Sequence, residues 1–130
     1  MKSIYDSIGL LVLRVGLAGL MLYNHGLDKL LHFNEKAEKF PDPIGLGTVP
    51  SLGLTTFAEF FCSLAIILGY FTRWAAIPQV INMAVAFAVV HGPQPLKEKE
   101  LPLLFLLGFV SILILGPGRY SLDNAWRKKY

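Results

Sequence analysis

A chain of 130 residues has room for one domain, and with 54% hydrophobic and only 16% charged residues it lacks the polar surface that a soluble domain of that size needs. The net charge of +3 does not point to nucleic acid, because the basic residues are scattered among connecting segments and cluster only in Arg127, Lys128 and Lys129, which read as cytoplasmic anchors beside a lipid bilayer. Cys62 is the single cysteine and lies in an apolar run, which excludes an intramolecular disulfide or a dithiol mechanism and leaves a small buried residue.

The first apolar stretch covers residues 4–31. At about 1.5 Å per residue it exceeds a hydrocarbon thickness of roughly 30 Å, so it tilts or protrudes. No small-residue cleavage site separates its apolar run from His25-Gly26-Leu27-Asp28, and it is expected to stay in the mature protein rather than act as a signal peptide. Arg14 lies inside that run. A guanidinium facing lipid at mid-depth costs about 2.5–3.5 kcal/mol, so Arg14 is expected to face protein or a wet cavity. Helical steps from it pick out Leu17, Ala18, Met21, His25, Asp28 and His32, a stripe that marks the seam of a bundle. Gly16 and Gly19 read as small residues that permit close helix contact.

Residues 33–51 change character and read as an ordered loop or lid. Asn34 is expected to cap a short interfacial helix through Phe40, after which three prolines and two glycines forbid a long one. A second span is expected over 52–71, with Glu59 among phenylalanines. Tyr70 to Trp74 forms a short aromatic turn that makes the next span antiparallel. The third span covers 74–91, with Pro78 one turn in and Asn82 further along. A fourth covers 98–116, stopped by Gly116-Pro117-Gly118. The expected fold is therefore all-α, a four-transmembrane-helix bundle forming a single membrane domain over 1–130 with both termini on one side. Six basic residues outside the spans lie on that side (Lys2, Arg73, Arg119, Arg127, Lys128, Lys129) against five on the other (Lys29, Lys36, Lys39, Lys97, Lys99), which assigns the termini to the cytoplasm.

Counted from the cytoplasmic face, Arg14, Glu59 and Asn82 fall roughly 15, 17 and 13 Å deep, in one layer. The reading is an Arg14–Glu59 ion pair with Asn82 filling the remaining hydrogen bonds. Such a pair either fixes which helix packs where, or forms a site in which Glu59 titrates or holds a polar headgroup. His25, Asp28 and Lys29 leave the first helix at the outer mouth, where His91 leaves the third. Two imidazoles there could ligate a metal or haem or serve a quinol as proton carriers, and the second role is preferred; neither a metal nor haem is expected. His91 falls nearly opposite Asn82 on an ideal helix, which argues against one cavity holding both. Phe57, Phe60, Phe61 and Phe71 read as lipid-facing or packing residues, although a quinone ring stacks on such side chains too. No phosphate loop, serine elbow, HExxH or CxxC occurs.

Leu13-Arg14-Val15-Gly16, His25-Gly26 with Lys29, Phe57-Ala58-Glu59, Leu68-Gly69 with Thr72-Arg73, and Gly116-Pro117-Gly118-Arg119-Tyr120-Ser121-Leu122-Asp123 together resemble the DoxX family of small four-helix membrane proteins. The resemblance implies a bacterial inner-membrane, multi-pass protein grouped with oxidoreductase components; relatives include the membrane subunit of a thiosulfate–quinone oxidoreductase. It marks Arg14, Glu59 and 116–123 as family positions without making them catalytic. The leading expectation is a component of a quinone-linked redox system, with a redox-enzyme or membrane-complex partner, and an oligomer is compatible with it. The alternatives are a non-catalytic subunit that anchors a partner and, last, a small proton-coupled carrier, for which no repeat of broken helices is visible.

Overall fold

The structure, a computed structural model, describes residues 3–42, 44–90 and 93–129, and those residues form helices and connections with no strand among them. Helix α1 runs Ile4–Leu31 and starts on a capping box, in which Ser3 Oγ accepts from the Asp6 amide at 3.1 Å and the Asp6 carboxylate accepts from the Ser3 amide. Its hydrogen-bond ladder is interrupted by a π turn over Leu22–Gly26. A short helix α2, Phe33–Ala37, follows, then α3, Thr48–Leu68, with a π turn over Phe57–Cys62. Helix α4, Thr72–Val85, passes directly into a third π turn, Ala86–Val90. A 3-10 turn, Leu96–Lys99, leads into α5, Glu100–Leu115, and α6, Leu122–Lys129, ends the described chain.

Several boundaries differ from those read in the sequence. α3 begins at Thr48 rather than 52, because Pro50 falls in the first turn, where its missing amide proton has no intrahelical partner to lose. It stops at Leu68 because Gly69 turns left-handed at φ +73°. The helix near 34 starts at Phe33, so Asn34 sits inside its first turn and does not cap it, and it ends at Ala37 rather than Phe40.

α1 packs antiparallel along α3, α4 packs along both α3 and α5, and α2 packs against the start of α3. The core between them contains Ala18, Met21, Ile66, Met83, Phe105, Phe109 and Ile112. Arg14, Glu59, Ser63, Thr72 and Gln79 are buried, whereas Val12, Leu54, Leu64, Ile81, Leu104, Leu107 and Ile114 face outward. Polar groups inside and large apolar ones outside suit a hydrocarbon solvent. Two helices, α1 and α3, are long and apolar enough to cross a membrane. Gly16 and Gly19 have open space where a Cβ would point, so neither makes the close contact expected of it; Gly26 and Gly108 do, against the Glu59 backbone and Leu17.

Candidate functional site

Every Cα–Cβ bond on a helix leans toward that helix's N-terminus. On antiparallel α1 and α3, the Arg14 side chain therefore leans toward the terminal end of the bundle and Glu59 toward the opposite end, so the two diverge. The expected Arg14–Glu59 pair does not form. Lys29, leaning back down α1, meets Glu59 instead: Nζ donates to Oε1 at 2.6 Å, while Asn82 Nδ2 donates to Oε2 at 2.9 Å. Glu59 is 4% exposed, and its two oxygens are both held.

The π turn in α1 also matters. Its wider winding lags the α-helical phase, so beyond Gly26 it is Lys29, not Asp28 or His32, that faces the bundle. Asp28 lies on the surface instead, bonded to His32 at 3.2 Å and Lys36 at 3.0 Å. Gly26 lets the two π turns touch, since a Cβ there would collide with the Glu59 carbonyl.

Lys29, Glu59 and Asn82 line one side of a partly open cavity of about 590 Å³ bordered by α1, α3, α4, the start of α5 and the loop residues Phe40, Pro41, Ile44 and Leu46. His25 lies in its wall, its ring edge-on to Phe105 with centroids 5.6 Å apart. Most other lining side chains are apolar, among them Met21, Phe57, Pro78, Ile81 and Phe105. Phe40, Pro41, Ile44 and Leu46 cover one side. That cover is tied down by Asp42, whose carboxylate accepts from Ser51 Oγ and from the Gly47 amide, both at 2.9 Å. The Ser51 hydrogen bond first, and the loop amides after it, hold the Asp42 carboxyl below its usual range. Of the sequence candidates, Lys29, Glu59, Asn82 and His25 share this cavity; Arg14 and Asp28 lie outside it, and His91 lies outside the described residues.

Arg14 organises the other end. Its Nε donates to Ile66 O and its Nη2 to Ile67 O, both at 3.0 Å; Nη1 donates to Pro117 O at 3.0 Å and Tyr120 O at 2.9 Å. It thus caps the negative end of α3 and ties down the chain after α5. Asp123, nearby, accepts from the Phe71 and Thr72 amides at 2.7 and 2.9 Å and so caps α4. Gly69 fits between Arg14 and Ser121 with no room for a side chain. Between the two ends, Gln79 Nε2 donates to Ser63 Oγ at 2.5 Å, both fully buried.

The family model for DoxX matches residues 9–92, which include Arg14, Lys29, Glu59 and Asn82. The chain belongs to the DoxX family. A Mycobacterium tuberculosis relative, described as the uncharacterized membrane protein Rv3486, is 29% identical over an alignment covering 87% of this chain and 78% of its own. An uncharacterized Haemophilus influenzae protein is 35% identical, covering 77% of this chain and 83% of its own. A second from that organism is 27% identical across 100% of this chain and 91% of its own. No solved structure matches. In this DoxX protein, the motif residues Arg14, Gly69, Thr72 and Asp123 meet at one end, and His25, Gly26, Lys29 and Glu59 meet at the other. Sequence reasoning does not reach the Ser63–Gln79 bond or the Asp123 cap. The lean of side chains toward helix N-termini is the signal in the sequence for the Lys29 pairing; charge at membrane depth alone does not carry it.

Proposed function

We propose that this DoxX membrane protein is a four-span bundle of the bacterial inner membrane, termini in the cytoplasm, and binds a quinone as part of a quinone-linked redox system. One observation carries the reading: an apolar cavity of ligand size ends on a charged network of Lys29, Glu59 and Asn82. Lys29 spends one ammonium proton on Glu59 and keeps two for an acceptor such as a quinone carbonyl. Glu59 is placed to accept a proton from the hydroxyl of the reduced form, with Asn82 holding its second oxygen. A quinone bound there would supply two-electron, two-proton chemistry, with the electrons passing to or from a carrier on a partner protein. The apolar walls, Phe105 included, exclude water, and the edge-on His25 and Phe105 rings flank a flat ring. Protein purified in mild detergent is expected to retain quinone or to bind added benzoquinone, and Glu59→Gln to weaken that binding at least tenfold while remaining folded. Wild-type protein that binds none overturns the reading and favours the subunit that anchors a partner.

A further inference from the structure

The cavity wall is not uniform. Its charged end is interior, with the Glu59 side chain 6% exposed, but Leu54 and Phe57 of α3 and Ile81 of α4 line the same cavity and are 58%, 51% and 59% exposed on the outer surface. α3 has the length and apolarity of a membrane span, so Leu54 and Phe57 face acyl chains and not water, and in the proposed four-span bundle Ile81 on α4 does so beside them. A lining residue that also faces outward marks where a cavity reaches the surface: Ile44, Leu46 and Leu101 do so at the loop and the first turn of α5, and Leu54, Phe57 and Ile81 do so within α3 and α4, where the surface meets lipid. We infer that the site opens sideways into the bilayer between α3 and α4, and takes a single-tailed amphiphile whose neutral head reaches Lys29 and Asn82 while its tail leaves past Leu54, Phe57 and Ile81.

The head is neutral on grounds of charge. Lys29 and Glu59 cancel each other, His25 and Asn82 add no fixed charge, and Glu98, the remaining ionisable group in the lining, is an acid. An anionic phosphate or carboxylate head would set its charge beside Glu59 with its nearest cation already engaged. A carbonyl or phenol head needs only the spare donors of Lys29. The tail has no polar partner to find along Leu54, Phe57 and Ile81, and it stays solvated by lipid.

This inference rests on the quinone reading and is tested so that the two separate. Binding of a ubiquinone with a decyl tail and of the tail-less dimethoxy-methyl-benzoquinone is measured on the full chain in lipid nanodiscs. Wild type and Ile81→Trp are compared, so that partition into the disc lipid is common to both. The decyl compound is expected to bind wild type at least tenfold more tightly than the tail-less one, and Ile81→Trp to reduce that ratio at least fivefold. Leu54→Trp, on the opposite wall, is expected to do the same. A ratio unchanged in both variants, with both compounds still bound, overturns the lateral portal and leaves the head site standing. Binding of neither compound to wild type overturns both.

Discussion

Arg14 and Lys29 are two cations on one helix with different tasks. Arg14 is 1% exposed and gives hydrogen bonds to four carbonyls from two parts of the chain. A lysine keeps the charge but is a point donor on a flexible stem and cannot span that set. Arg14→Ala leaves buried carbonyls without donors and is expected to cost at least about 3 kcal/mol, with Arg14→Lys recovering only part, read as loss of resistance to unfolding in detergent titrations. Lys29 instead neutralises Glu59. Removing it by Lys29→Met strands a buried carboxylate and is expected to destabilise by about 2–3 kcal/mol, whereas adding Glu59→Gln should restore at least about 1 kcal/mol. A double-mutant cycle with no coupling energy would remove the ion pair from the account of stability.

At the level of elements, α1 and α3 meet at their π turns through Gly26. Gly26→Ala is expected to cost about 1–3 kcal/mol, because its methyl would overlap the Glu59 backbone, which cannot move aside as a side chain can. Gly16→Ala, with open space around it, should stay within about 0.5 kcal/mol of wild type or stabilise slightly by reducing unfolded-chain freedom. Thermal unfolding of the two variants side by side separates contact from composition. The 38–47 cover depends on a different kind of bond. Asp42 has its carboxyl lowered from an ordinary 3.8 by its bond to Ser51 and the loop amides. A lowered folded-state value means that the tether is complete above the unfolded value and is lost as pH falls through the folded one. Amide protection factors in the loop, each rate taken relative to the intrinsic exchange rate at that pH, should therefore be high and flat above about pH 4 and fall only below it. Asp42→Asn should give the low, acid-like protection at neutral pH; equal protection for variant and wild type would show that Asp42 does not hold the cover.

For the molecule as a whole, the expected topology follows from four spans and termini on one face. With Cys62→Ala as background, Ser3→Cys and Arg119→Cys should react with an impermeant thiol reagent from the cytoplasmic side, and Lys39→Cys and Glu98→Cys only from the other. Any mixed result breaks the four-span arrangement. The all-helical class, the membrane habitat, the family and the approximate extents of the helices could all be read from residue order. Apolar runs of spanning length, together with the Gly69 and Gly116 stops, are local signals that no partner has to complete. Glu59 and Asn82 are legible as polar groups in apolar surroundings, and His25 and Lys29 as an outer-mouth group; that the two groups share one cavity is not. Nor is who pairs with whom. Depth along a straight rod sets Arg14 beside Glu59 only while each residue is a point on the axis. Side-chain lean and the Leu22–Gly26 π turn, which changes the phase of α1, decide the pairing only once antiparallel helices are side by side. Hydropathy and punctuation are written along the chain, whereas the carbonyls that satisfy Arg14 belong to Ile66, Ile67, Pro117 and Tyr120, distant residues that only the packed bundle brings to it.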